Sequence, residues 1–167
     1  MITVLFLLAM VARLYYLRIS RRNEQQLLAE GAREYGARNT RLLIGAHLLY
    51  YFAALAEGWI RGSQFDVLSA IGVGFILFSM WMLHQVITRL GKYWTVKLYI
   101  HPNHELDRSW LFAWIKHPNY YLCIVPELLG IGLLCHAWSV MMVGVFLYSA
   151  ILAARIQQEE DAMKHLM

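Results

Sequence analysis

HPNYYLCIVPELLGIGLLCHAWSVMMVGVFLYSAILAARIQQEE, residues 117–160, holds two apolar runs joined only by Cys135, His136 and Ala137. A link that short makes two helices fold back on each other, so the stretch predicts a tight antiparallel hairpin over 118–135 and 138–160. Each run has the length needed to cross the hydrocarbon core of a bilayer, roughly 17–25 residues.

Three further apolar runs lie upstream, at 1–18, 41–60 and 66–89. The chain is 59% hydrophobic, above the roughly 45–50% of soluble domains, and the excess is gathered in these runs. The expectation is an all-α integral membrane protein with about five transmembrane helices, the last two forming the hairpin. The first run begins at Met1 with no basic segment before it. Arg13 and two tyrosines follow it where a signal peptide would place a cleavage site, so it reads as a retained helix.

The net charge is +4. The basic residues stand at the ends of the apolar runs, the pattern of the positive-inside bias, so no nucleic-acid partner is expected. Arg18, Arg21, Arg22, Arg33, Arg38 and Arg41 fall in one connection. Arg89, Lys92, Lys97, Arg108 and Lys116 fall in another, and the remaining two connections hold Arg61. The basic connections should face the cytoplasm, with the N-terminus outside and the C-terminus inside. The chain reads as one domain, residues 1–167. Residues 1–89 supply three spans, 90–117 a cytoplasmic loop, and 118–167 the hairpin and tail.

In the loop, WTVKLYI alternates well enough for a short extended piece, HPNHEL reads as a turn, and SWLFAWI suits an interfacial helix through Trp110 and Trp114. Cys123 and Cys135 make no zinc pattern and read as buried free thiols. Gly72 and Gly74 lie inside an apolar helix and suit close helix packing better than nucleotide binding.

Ionisable groups in spanning segments are costly and face a partner or a polar cavity. At the start of the hairpin, His117 stands at a helix cap and Pro118 suits the first helical turn. At its end, Arg155 and Glu159 are four residues apart, so they share a helix face. Each set alone reads equally as an ordinary helix terminus. The hairpin, however, returns the second to the first, so His117 and Tyr120 should meet Arg155 and Glu159. Glu127, deep in the fourth run, must be paired, protonated or facing a cavity. His47, Glu57, His84 and Gln85 have no metal-ligand spacing, so no metal is expected. Packing or substrate-lining roles suit them better.

KHPNYY, an apolar hairpin and then RIQQEEDAM together resemble the isoprenylcysteine carboxyl methyltransferase family, small membrane enzymes that use S-adenosylmethionine. LGKYWTVKLYI at 90–100 resembles the stretch before that family's HPxY motif, and the match covers about 85–163. The N-terminal half resembles the short bacterial branch, some members of which are thought to methylate alkylpyrones. The family usually has Arg where Lys116 stands.

The resemblance implies a bacterial-type inner-membrane enzyme with a cytoplasmic cofactor pocket; five spans can enclose one site, which suits a monomeric catalytic unit. His117, Pro118 and Tyr120 would line that pocket, Glu159 and Glu160 would hold ribose hydroxyls or the amino group, and Trp94 and Lys97 would close it. Arg155, with Glu159, would be catalytic and orient the anionic oxygen of the acceptor. Glu127, His47 and Gln85 would line the path of a lipophilic substrate arriving from the lipid membrane. The acceptor would be a carboxylate or acidic enol, such as an alkylpyrone or an isoprenylcysteine-like acid. Such an oxyanion needs no strong base, and a guanidinium that stays charged suits it. Two other readings share part of the pattern: an NADPH-dependent membrane sterol or steroid reductase, in which Gly-Glu typically follows the Tyr closely, and a non-enzymatic membrane scaffold.

Overall fold

A computed structural model describes residues 1–100 and 117–163. Arg108, Trp110, Trp114 and Lys116, and with them the turn and interfacial helix expected in the loop, lie outside the described residues.

Helix α1 spans Ile2–Ala29, α2 Ala37–Ile60 and α3 Val67–Leu90. A π-helical stretch over Asn119–Ile124 runs into α4, Val125–Cys135, and α5 spans Trp138–Met163. Among the described residues four helices are long and apolar enough to cross a membrane, and the fourth run forms a shorter apolar helix, Asn119–Cys135. The protein is an all-α integral membrane protein. Its outer surface carries the apolar side chains that lipid requires, among them Val4, Leu8 and Val11 on α1, Leu49 and Phe52 on α2, and Phe146 and Leu147 on α5.

Two departures from the expected spans have local causes. Helix α1 runs on through Asn23-Glu-Gln-Gln-Leu-Leu-Ala29, because Glu, Gln, Leu and Ala are strong helix formers. The start of the hairpin is wound as a π-helix ahead of Pro126. Proline has no N–H and its ring collides with the carbonyl four residues back, so the turn before it widens. The Val125 N–H reaches the Tyr120 carbonyl, five residues back. The helix is then tied to its neighbours through its carbonyls: Ser79 Oγ donates to the Cys123 carbonyl at 2.7 Å and Tyr50 Oη to that of Leu128 at 2.8 Å.

The hairpin turns on His136, whose left-handed backbone (φ 55°) caps α4. His136 Nε2 lies 3.1 Å from Asp66, the residue that caps the start of α3. Glu57 of α2 accepts the free N–H groups of Ser139 and Val140 at 3.1 and 2.9 Å. It satisfies the first turn of α5, which the helix cannot do for itself. Helices α3 and α4 cross in close contact at Gly72 and Gly130. A Cβ on Gly72 would stand 2.7 Å from the Gly130 carbonyl, whereas one on Gly74 meets nothing within 4 Å. Cys123 and Cys135 are free and buried.

At the opposite end from His136, Arg33–Tyr35 (β1) pairs antiparallel with Leu98–Ile100 (β2), Arg33 facing Ile100 and Tyr35 facing Leu98. The chain before β2 is fixed to α1 by hydrogen bonds to Ser20 and Asn23. Asn23 Nδ2 donates to the carbonyls of Gly91 and Trp94 at 3.0 and 2.8 Å, and the Val96 N–H donates to Ser20 Oγ at 2.9 Å. Ser20 and Asn23 are buried polar groups on a membrane helix, and these bonds account for them.

Candidate functional site at the polar end of the bundle

The C-terminal end of α1, the start of α2, the Trp94–Val96 segment, the start of the π-helix and the end of α5 meet at one end of the bundle. The hairpin delivers both of its motifs there. Tyr120 and Tyr121 donate their N–H groups to the His117 carbonyl at 3.1 and 3.2 Å, so His117 opens the helix and Pro118 occupies its first turn at no cost in hydrogen bonds. His117 Nδ1 lies 3.5 Å from Glu159 Oε2 and its Nε2 lies 3.3 Å from Glu160 Oε1. The Glu159 carboxylate is the main cause that raises the His117 pKa above the ordinary imidazole value, against the opposing effect of burial. The His117 and Tyr120 rings stack with centroids 5.9 Å apart.

Arg155 is 2% exposed. Its Nε donates to Tyr120 Oη at 3.3 Å, Nη1 to Thr40 Oγ1 at 2.8 Å, and Nη2 to the Val96 carbonyl at 3.3 Å. All three acceptors are neutral, and among the described residues no carboxylate pairs with this guanidinium. Among the described residues it makes no ion pair with Glu159, the partner its i, i+4 spacing offered. Thr40 is set by α2 itself: its N–H and hydroxyl both donate to the Gly36 carbonyl, at 3.1 and 3.3 Å. Gly36 has φ of 67°, and a Cβ there would come within 2.6 Å of Gln158 Oε1, so both the left-handed cap and the approach of α5 require glycine.

Polar atoms around Arg155 are left unspent. Asn39 Nδ2, Trp94 Nε1 and Gln158 Oε1 are buried and make no hydrogen bond among the described residues, and the buried Glu159 Oε2 faces the His117 ring at 3.5 Å. Asn39 adjoins Thr40, Trp94 lies two residues before Val96, and Gln158 and Glu159 sit within about one turn of Arg155. Buried groups of this kind are normally satisfied, so two donors and an acceptor together fit a ligand bearing both.

The other residues singled out from the sequence are placed as follows. Trp94 is buried among Met82, Leu83, Val86, Ile87 and Cys123. Lys97 is directed to Glu24 at 3.1 Å, with Glu34 at 3.9 Å, and the Glu24 carboxylate raises its pKa. Gln85 is half-buried on α3. Glu127 is fully buried and accepts from Arg13 of α1 and from the Tyr51 hydroxyl, the Arg13 Nε bond measuring 2.5 Å. His47 Nδ1 lies 3.0 Å from the Tyr148 hydroxyl, and its ring packs on Tyr51 with centroids 4.7 Å apart. Glu127 and His47 thus belong to a separate layer, deeper in the bundle. Among the described residues no three His, Cys, Asp or Glu side chains gather as a metal site would need.

Sequence reasoning missed Arg13, Thr40 and Asn39. Arg13 carried a usable signal: it and Glu127 are opposite charges inside two apolar runs. Thr40 and Asn39 carried none, because their burial depends on how α5 approaches α2.

Comparison with known proteins agrees with this architecture. The family model for the isoprenylcysteine carboxyl methyltransferase (ICMT) family matches residues 71–165. An uncharacterized protein of Haemophilus influenzae is 46% identical over 165 residues, covering 99% of this chain and 96% of that one. The uncharacterized protein YpbQ of Bacillus subtilis is 28% identical, covering 98% of this chain and 97% of that one. A phosphatidylethanolamine N-methyltransferase of Saccharomyces cerevisiae is 26% identical over 103 residues, which are 60% of this chain and 11% of the yeast protein. No solved structure matches. The matched region contains α4, α5 and every hairpin residue of the polar site, and the chain belongs to the isoprenylcysteine carboxyl methyltransferase family.

Proposed function

We propose that this protein is an S-adenosylmethionine-dependent methyltransferase that methylates an anionic oxygen, a carboxylate or acidic enol, of a lipophilic substrate at the cytoplasmic face of the membrane. The observation that carries the reading is Arg155, a buried guanidinium bonded, among the described residues, only to neutral oxygens. A buried charge is costly until an opposite charge meets it, so this site favours an anion.

S-adenosylmethionine, when bound, supplies a methyl group already activated on a positively charged sulfur. The chain's own residues do the rest. Arg155 holds the acceptor oxygen with its guanidinium, and Tyr120, Thr40 and the Val96 carbonyl fix the plane of its fork. Glu159 and Glu160, steadied by His117, offer acceptors for an ammonium or for ribose hydroxyls. Asn39 and Trp94 offer donors. The acceptor is ionised near neutral pH, so alignment and exclusion of water are the main tasks, and proximity supplies most of the rate. Its apolar tail remains in the bilayer and reaches the site between helices.

The test is calorimetric titration of the detergent-solubilised protein with S-adenosylhomocysteine and, separately, with NADPH. Binding of S-adenosylhomocysteine alone is expected. Binding of NADPH alone would replace the proposal with the reductase reading, and binding of neither with the scaffold.

A further inference from the structure

Three helices each carry a second polar residue seven positions from one in the site. Thr40 is followed by His47 on α2, Tyr120 by Glu127 on the fourth run, and Tyr148 precedes Arg155 on α5. Seven residues are about two turns, or about 10 Å, so a second polar layer lies that far below the first. It is at mid-span: Glu127 is the ninth residue of Asn119–Cys135, and His47 and Tyr148 are the eleventh of their helices. Charge and hydrogen-bonding groups at this depth are costly and mark functional positions more often than not.

Within the layer, Glu127 is fully satisfied by Arg13 and Tyr51. Two groups are not. His47 Nε2 is buried with no hydrogen bond among the described residues. Arg13 has 21% of its side chain exposed at mid-span, and its Nη1 makes no hydrogen bond among the described residues. Both flank Tyr51, since Arg13 shares Glu127 with it and His47 packs on its ring. A partly exposed guanidinium beside an unspent imidazole nitrogen offers two polar contacts to a group from outside the chain. That group must accept from Arg13. It must also satisfy Nε2, which donates in one tautomer and accepts in the other. A hydroxyl or enol oxygen does both. The layer is neutral overall, Arg13 against Glu127, so it favours an uncharged head group.

We infer that His47, Tyr51, Tyr148 and the Arg13–Glu127 pair form a second, intramembrane site that binds the neutral hydroxyl or enol of a lipophile, with His47 Nε2 and Arg13 as its direct contacts. The site does not depend on methyl transfer. If transfer does occur in the upper layer, the helix faces that link His47 to Thr40 and Tyr148 to Arg155 lead a ligand from one to the other.

The experiment uses the full chain in lipid nanodiscs with 15N-labelled histidine side chains. A long-chain 4-alkylphenol is titrated against the alkylbenzene of the same chain length. The His47 Nε2 resonance is expected to shift with the phenol and not with the hydrocarbon. No shift with either, or equal shifts with both, overturns the inference. His47→Gln identifies the resonance by its loss. Should that variant not fold, Tyr148→Phe identifies it by removing the partner of Nδ1 alone. Calorimetry with S-adenosylhomocysteine reports separately on the upper site, so failure of one reading is distinct from failure of the other.

Discussion

Arg155 differs from an ordinary interhelical tether in what its acceptors are. A structural arginine in a membrane bundle meets a carboxylate. Among the described residues this one meets a phenol, a hydroxyl and a peptide carbonyl, and no carboxylate. Removing a preorganised cation of this kind is worth roughly 100-fold in turnover. Arg155→Ala is therefore expected to lower turnover by about that factor while S-adenosylhomocysteine affinity, read by calorimetry, stays within about threefold. Equal loss of both would take Arg155 out of the acceptor role. His117 gives a pH prediction. Its pKa is raised by Glu159, so the protonated ring is bound more firmly in the folded state than in the unfolded chain. The stability it adds is complete below the ordinary value of about 6.5 and is lost as pH rises through the higher folded value. The difference in melting temperature between wild type and His117→Gln should shrink steadily from pH 6 to pH 9. A gap that stays constant or widens would show that the imidazolium is not what binds Glu159 and Glu160.

At the scale of elements, the hairpin and its consequence were legible because a two-residue link leaves α4 and α5 one arrangement, and that arrangement returns Arg155 to Tyr120 and Glu159 to His117. Less could be read where chain-distant polar bonds decide the outcome. Asn23 and Ser20 hold the segment before β2 across about seventy residues of sequence, and such bonds leave no periodic trace. The π-helical turn was also hidden, since Pro126 announces a disturbance but not its form. The resemblance implied that Lys97 closes the pocket, and its ion pairs with carboxylates on α1 and β1 were not legible in the sequence. Gly72 and Gly74 looked alike in sequence, and only the crossing with α4 separates them. Gly72→Ala forces its Cβ against backbone of α4 and is expected to cost about 1–3 kcal/mol, whereas Gly74→Ala meets open space and should be neutral. Thermal unfolding of the two variants in one detergent checks this. Equal melting temperatures would mean that the two helices do not approach as closely as the glycines allow.

On the scale of the whole molecule, the membrane sets the terms on which α1 is held. Its lipid-facing side is apolar and its inward side carries Phe6, Ala9, Arg13, Ser20 and Asn23, so polar bonds fasten a helix whose apolar packing is spread thinly. The Arg13–Glu127 pair is the deepest of these bonds. A buried ion pair contributes little over well-packed apolar replacements, but breaking it on one side strands a charge and costs about 3–5 kcal/mol. Arg13→Leu leaves Glu127 with only the Tyr51 hydroxyl, and Glu127→Leu leaves a guanidinium in hydrocarbon. Each single variant should therefore unfold at lower temperature than wild type. The double variant, with neither charge, should recover most of the loss. The recovery separates two roles. If the pair serves only to fasten α1, the double variant keeps the binding of 4-alkylphenol at His47. If Arg13 supplies half of an intramembrane site, the double variant folds and loses that binding while retaining S-adenosylhomocysteine at the polar end. Calorimetry on one preparation reads both ligands, and an additive loss of stability in the double variant would show that the two charges act apart.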